Sequence, residues 1–460
     1  MVECSGVTPI NERRRRRQIE VGNKLNVLMI TIDSLRADHL GCYGYQHHTS
    51  PNIDQLASEG VLAERFLCSS IPTHPSYTTL YTGQHAIRHK IVAHAGKNVL
   101  AREAPFLSEL FMDAGYNTCA ADNLMRARLW FGRGYEYYID SSIRRPLVVN
   151  VSCEDINART IHWLRTHPDE PFFLFLHYWD PHYPFTPPPS YRHLFYDGAN
   201  PTDPDNHTLD KWWEYPFGSI ARDTWLRTPD GPITDPDYVM ALYDQEIRYL
   251  DDHLPELLEA LDVLGLTENT LVFLVADHGE SMTEHGIFYE HHGLYDCVLH
   301  VPMIARLPGR IKEGTRLPQI LQMHDVAPTI LEAAGLPIPE EMDGHSFWPL
   351  LTGEGQVGGY KSVISLESSW QSKWSLRTDR YKFILSRVPD FYGNPLQELF
   401  DLAIDPQEEH NLAEEQPAIV SEMEAELEAW IAARLKELGQ SKDPLLEHGI
   451  SLLEGNWDGT

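Results

Sequence analysis

Three apolar runs end abruptly in ionisable residues, and this feature limits the folds open to the 460-residue chain more than any other. They are "NVLMITID" (26–33), "PFFLFLHYWD" (171–180) and "LVFLVADHG" (271–279). None alternates as a half-exposed strand does, and helix-length stretches separate them. They therefore predict buried strands of a parallel sheet, with "HVPMIARL" (300–307) as a fourth. Ligands of open α/β sheets sit beyond the carboxyl ends of the strands. Asp33, Asp180, Asp277 and His278 are thus expected on one rim although far apart in the chain.

Between the strands, Tyr243, Ile247, Leu250, Leu254, Leu257 and Leu261 share one helix face, with Pro255 predicting a kink or restart. Residues 186–235, with eight prolines and three tryptophans, read as a long insertion without regular elements. A lid and a packing or oligomer contact are both open for it. The expected organisation is a disordered basic arm over 1–24, an α/β catalytic domain over 25–355 and a C-terminal α+β subdomain over 356–460. The short strands "KSVISLES" and "SLRTDRYKFILS" and a terminal helix mark the last of these.

Charge narrows the function. With 37 basic against 67 acidic residues, a net of −30, neither nucleic acid nor an anionic membrane is expected as partner. A small anionic substrate would need a local cation, for which a bound metal is the natural source. Six scattered cysteines without a CxxC pair suggest neither a zinc knuckle nor a disulfide framework. The "RRRRR" at 13–17 leads into polar sequence rather than a signal-like apolar segment, and no run approaches the ~20 apolar residues of a membrane span. The expectation is a cytoplasmic protein, with a homo-oligomer left open.

Two motifs carry chemistry. "ITIDSLRADH" sets a carboxylate at a strand end, where a helix cap is the plain alternative. "VADHGE" (275–280) sets two metal-type ligands side by side, followed by a glycine that lets the backbone turn.

With these residues in view, the chain resembles the sulfatase family of the alkaline phosphatase superfamily. "NVLMITIDSLRADHLGCYGY" resembles its opening strand and turn, "DHGE" its second metal strand and "HYWDPHYPF" its substrate-histidine loop. "HDVAPTILEAAGLP", "MDGHSFWPLLTG" and "ELFDLAIDPQEEHNLA" resemble later signatures in the family's order. The resemblance implies an α/β sandwich around a large, mostly parallel mixed sheet, with a small C-terminal α+β subdomain.

The departures concern the sulfate-handling residues. In "CSSIPTHPSYTTLYTG" (68–83), aligned on Pro75-Ser76 and Thr82-Gly83, Thr73 stands where the family's formylglycine-forming cysteine belongs, and Tyr77 replaces its arginine. "ADNLMRAR" (121–128) replaces the Gly-Lys-Trp-His segment, and His291 or His292 replaces a lysine. A sulfated threonine has no second hydroxyl with which to expel sulfate, whereas water can attack a phosphothreonine in line. The resemblance therefore moves toward threonine-using phosphodiesterases, phosphonate monoester hydrolases and phosphoethanolamine transferases. "DHGESMTEHGIFYEHHG" looks especially like the last of these.

The expected machinery follows. Thr73 is the nucleophile at a helix start, where the dipole favours an incoming anion. Asp33, Asp277 and His278, with the Thr73 oxygen, are expected to hold one divalent metal, manganese or zinc before calcium. A second metal would call on Asp180, His285 and His291. His182 and His292 are expected to bind the phosphoryl group or protonate the leaving group. His291, Asn123 and Tyr77 stand at further substrate-facing positions, while Glu280 and Arg36 are expected to support the metal strands. The leading reading is a metal-dependent hydrolase of phosphodiesters or phosphonate esters acting through a phosphothreonine. Its alternatives are a sulfatase without formylglycine, a phosphoryl transferase and a catalytically silent binding protein.

Overall fold

The computed structural model describes residues 24–451 except 95, 143–150, 199, 356 and 357. The Arg run at 13–17 and most of the expected basic arm lie outside the described residues. The expected runs form β1 (Asn26–Ile32), β5 (Phe172–Tyr178) and β6 (Thr270–Ala276), every residue buried. The remaining strands of this sheet are β2 (Val61–Leu67), β3 (Asn117–Ala121), β4 (Tyr137–Ile139), β7 (His300–Val301), β8 (Met303–Arg306) and β9 (Thr315–Gln322). Their order is β9-β2-β8-β6-β1-β5-β3-β4, with β7 beside β2.

The sheet is mixed. β1 pairs in parallel with both β5 and β6, whereas β8, read from the sequence as another parallel strand, runs antiparallel to β6 and β2. Apolar burial on both faces is the same in either direction, so the run of residues carries no sign of polarity. Helix α1 (Thr73–Thr82) begins with Thr73, and Pro75 falls in its first turn, where a missing N–H costs nothing. α2 (Cys153–Thr166) packs on α3 (Pro236–Val263). α3 is a single helix of 28 residues that buries the expected stripe and continues through Pro255 rather than restarting there.

Two further expectations need correction or detail. The 186–235 insertion is not free of regular elements: it holds helices Asp210–Trp213 and Pro216–Asp223 and the paired strands Arg227–Thr228 and Gly231–Pro232. Trp212 anchors it, buried with its ring 4.9 Å from that of Tyr289. The C-terminal unit is an antiparallel sheet of β10 (Ser362–Glu367), β11 (Lys373–Thr378), β12 (Tyr381–Ser386) and β13 (Gln397–Asp401), with α4 (Pro417–Glu437) packed on it. Its core includes Ala86, Ile87 and Val92 from the first unit. β10 also reaches the segment ahead of α1, where Ile71 N–H donates to Leu366 O at 3.2 Å and Ser365 Oγ to Cys68 O at 2.6 Å.

Candidate active site

Four adjacent strands, β3, β5, β1 and β6, bring Asp122, His177, Asp33 and Asp277 to one rim of the sheet. Ile32 pairs with Ala276, which puts Asp33 and Asp277 side by side just past the strand ends. The first turn of α1 is tied to the same place, because Ser76 Oγ donates to Asp277 O at 2.6 Å. Thr73 Oγ thereby lies 3.1 Å from His278 Nε2, which is 3.2 Å from Asp277 Oδ2 and 3.7 Å from Asp33 Oδ1.

The donor set fits a divalent cation. His278 Nδ1 lies 2.9 Å from Gly279 O, so Nδ1 carries the proton and Nε2 turns its lone pair toward two carboxylates and a hydroxyl. Asp277 Oδ2 is buried without a hydrogen-bond partner. One ligand atom each from Asp33, Asp277 and His278 lie within 4.8 Å of one another, all fully buried. Burial and the Asp33 charge push the Asp277 carboxyl well up, and burial lowers His278 to about 4. A divalent cation there would relieve the stress on both groups.

Asp33 is held differently. Burial opposes its charge, but the hydrogen bond with His177 and the nearby His182 and His278 keep it below the usual carboxylate range. His177 lies between two carboxylates, Nε2 at 3.2 Å from Asp33 Oδ2 and Nδ1 at 2.8 Å from Asp122 Oδ1. Those bonds, acting against burial, raise it to about 9.

The other expected residues take varied positions. His182 stands beside His291, ring centroids 5.1 Å apart, and burial lowers both. His291 also stacks on His278 at 4.7 Å and lies 5.0 Å from the His292 ring. Asn123 is buried near them, its Oδ1 accepting from Trp179 Nε1 at 3.1 Å. Tyr77 departs from expectation: its ring is fully buried among Phe131, Phe175 and His177, so it packs behind Thr73 in the core. Asp180 accepts from Cys153 N–H at 2.9 Å and faces Glu246, and His285 stacks on Tyr295 at 3.5 Å. Neither joins the Asp33 group. Arg36 bonds Asp38, Glu284 and the Glu280 carbonyl, bracing the turns after β1 and β6.

Several residues of this region were not singled out from the sequence. His177 and Asp122 could have been, since an imidazole inside the run "PFFLFLHYWD" is out of place there. Glu367 and Trp370 come from the C-terminal unit. Glu367 Oε1 lies 2.8 Å from His292 Nδ1, and the Trp370 ring is 5.8 Å from that of His292. "SVISLE" shows the signal already noted elsewhere, an apolar strand ending in a carboxylate, but nothing local says which rim it meets.

The comparisons with known proteins agree with this architecture. The family model described as Sulfatase matches residues 25–336, and that described as N-sulphoglucosamine sulphohydrolase, C-terminal, matches 283–434. The chain is 26% identical over 429 residues to a Delta 4,5-hexuronate-2-O-sulfatase of Bacteroides thetaiotaomicron, covering 85% of each chain. It is 24% identical over 442 residues to the iduronate 2-sulfatase of Mus musculus, covering 81% of this chain and 76% of that one. Among solved structures, the phosphonate monoester hydrolase of Agrobacterium radiobacter matches with a TM-score of 0.71 at 22% identity, covering 90% of this chain and 96% of that one. A 2-O GAG sulfatase matches with a TM-score of 0.71 at 23% identity, covering 92% and 96%. At these identities the solved structures speak for the fold. No helix among the described residues is long and apolar enough to cross a membrane.

Proposed function

The chain belongs to the sulfatase family of the alkaline phosphatase-like superfamily, and on that premise we propose that this ester hydrolase acts on phosphodiesters or phosphonate monoesters through Thr73. The observation that carries the reading is the placement of the Thr73 hydroxyl at the start of α1, 3.1 Å from His278 Nε2 and beside Asp33 and Asp277. A divalent cation held by Asp33, Asp277 and His278 would supply Lewis acidity there, easing loss of the hydroxyl proton and offsetting charge on the substrate.

The chain's own residues account for the remaining work. Thr73 Oγ forms a bond to phosphorus while the ester P–O bond opposite it breaks, and water later cleaves the phosphothreonine. His182 and His291, both kept neutral by burial, offer hydrogen bonds to the phosphoryl oxygens without adding fixed charge. His177 holds Asp33 in place through a bond that Asp122 backs from the far side.

A second reading, a sulfuric ester hydrolase, has support in the names of the curated relatives. Against it stands the threonine, since neither a second hydroxyl nor an aldehyde is available to release sulfate. Rates on matched aryl esters separate the two. An aryl phosphodiester or phosphonate monoester is expected to exceed the matched aryl sulfate in kcat/KM by at least ~10²-fold, or ~3 kcal/mol. Equal rates would favour the sulfatase reading. The partner is then a small anionic ester, and the −30 net charge makes capture of that anion depend on the metal site.

A further inference from the structure

A cavity of about 170 Å³ lies on the seam between the two units, and none of the residues assigned above to the active site lines it. His85, His324 and Asp343 of the first unit border it, together with Tyr360, Trp430 and Arg434 of the C-terminal unit. An apolar core would close over such a space, because a void forfeits dispersion contacts along its lining. A polar space of this size holds water or a ligand.

The walls are held by contacts of their own. Trp430 and Arg434 stand at i and i+4 on α4 and so share one face of the helix. The Trp430 ring lies 5.0 Å from that of His85 and 6.3 Å from that of Trp374. His85 has both nitrogens engaged, Nδ1 accepting from Ile87 N–H at 3.3 Å and Nε2–H donating to Ile364 O at 3.0 Å. Its ring is therefore a wall and not a ligand-binding group.

The polar groups that remain are few, and they carry no surplus charge. Asp343 accepts from Arg88 at 2.8 Å and from Arg434, and Glu437 accepts from Arg88 at 2.7 Å and Arg434 at 2.6 Å. Two guanidinium groups thus face two carboxylates. Burial lowers His85 to about 4 and His324 to about 3, so both rings are neutral. Asp325, behind Tyr360, is pushed up to about 7 by burial and adds no positive charge. An anion entering here finds no cation that is not already paired. Among the described residues no three metal-type donors converge here either.

Two groups are left to meet a ligand. His324 Nδ1 lies 3.2 Å from Ser69 Oγ, and its Nε2 has no protein partner among the described residues. Ser69 can donate to Nδ1 or accept from it, so Nε2 presents either a proton or a lone pair. Tyr360 Oη donates to Asp325 Oδ1 at 2.7 Å, which leaves its oxygen able to accept. A hydroxyl group satisfies either state of His324 and can donate to Tyr360, whereas a hydrocarbon satisfies neither. Trp430 and Ile364 add apolar surface for C–H groups.

We propose that this cavity is a second binding site, for one uncharged sugar ring, with ring C–H groups against Trp430 and a hydroxyl on His324 Nε2. The proposal is independent of the ester-hydrolase reading and of which ester the Thr73 site takes. The ring can come from a free sugar or from a residue of a glycan chain.

Saturation-transfer NMR on the full chain tests it, with the methyl pyranosides of glucose, galactose, mannose and N-acetylglucosamine, with maltotriose, and with inorganic phosphate as competitor. At least one neutral glycoside is expected to bind with a Kd of about 0.1–10 mM and to stay bound when phosphate is added. Tighter binding of maltotriose than of methyl glucoside identifies a glycan chain as the source, and equal binding a free sugar; both support the site. Trp430→Ala removes the apolar surface and Ser362→Trp fills the cavity from β10, and each should weaken binding at least ~10-fold. If Trp430→Ala does not fold, Ser362→Trp decides alone. No glycoside binding up to ~50 mM, displacement of the sugar by phosphate, or undiminished binding in folded Ser362→Trp would overturn the proposal.

Discussion

Two of the clusters of buried charge among the described residues are built on opposite principles. Around Lys373 and Lys382 on the C-terminal sheet, buried charges have fixed counter-charges. Lys382, fully buried, bonds Asp296 and lies 2.8 Å from Glu408. Arg377 bonds Asp296 at 3.0 Å, and Lys373 lies 2.8 Å from Asp390 and 3.1 Å from Glu398. At the rim of the large sheet, Asp33, Asp277 and Glu280 are fully buried, yet among the described residues no lysine or arginine bonds to their carboxylates. Their neighbours are imidazoles, His278 Nε2 at 3.2 Å from Asp277 Oδ2 and His291 Nδ1 at 3.7 Å from Glu280 Oε2. Burying an unbalanced charge costs several kcal/mol. The unpaired carboxylates at the rim are what a divalent cation held by Asp33, Asp277 and His278 would balance.

The comparison can be broken most forcefully at Asp277. Asp277→Asn should lose bound metal and at least ~10³-fold in kcat together, while metal-free protein becomes more stable by about 1 kcal/mol because a repulsive pair is gone. Elemental analysis, turnover and denaturant titration on the same preparation decide it, and undiminished metal would mean the ligands are wrong. The paired cluster should answer in the opposite sense. Lys382→Met strands Glu408 and leaves Asp296 to Arg377 alone, and is expected to cost about 3–5 kcal/mol of stability, with metal content unchanged in the folded fraction.

A smaller effect is expected where the site borrows a counter-charge. His177→Gln keeps a donor toward Asp33 but drops the imidazole shared with Asp122, so metal affinity should fall by about 10- to 100-fold by competition with a chelator. The smallest concerns Glu408, which burial, with Asp296 alongside, pushes up to about 7 against the pull of Lys382. The folded protein holds that proton more tightly than the unfolded chain. The associated stability is fully present below pH ~4.5 and lost as pH rises through about 7. Glu408→Gln should therefore lose less stability than wild type between pH 5 and 8, by about 1 kcal/mol in denaturant titrations. Parallel pH dependence would show that Glu408 is not the group responsible.

The rim was legible in the sequence because its two constraints are local. A buried parallel strand leaves a continuous apolar run, and a ligand at its end leaves a carboxylate, so β1 and β6 and their Asp33, Asp277 and His278 stand out. What was not legible depends on partners distant in sequence. The direction of β8 is set by its pairing with β6 and β2 and leaves no trace in "HVPMIARL". The helices of the 186–235 insertion are short, and Trp212 packs on Tyr289, distant in sequence. Pro255 suggested a restart because tertiary packing, which keeps α3 continuous through it, is invisible locally. Glu367 ends an apolar run as Asp33 does, but contacts distant in sequence, the bridge between Ser70 and Leu366 and the bond from Ser365 to Cys68, bring that end to His292.

The central claim is that Thr73 becomes covalently attached to the substrate's phosphoryl group. Rapid acid quench during turnover of an aryl phosphodiester or phosphonate monoester, followed by peptide mass spectrometry, tests it directly. A phosphoryl or phosphonyl adduct is expected on Thr73 in the wild-type protein, and Thr73→Ala should lose both the adduct and at least ~10³-fold in kcat while keeping its metal. An adduct on a histidine instead, or Thr73→Ala protein that retains most of its activity, would contradict the account.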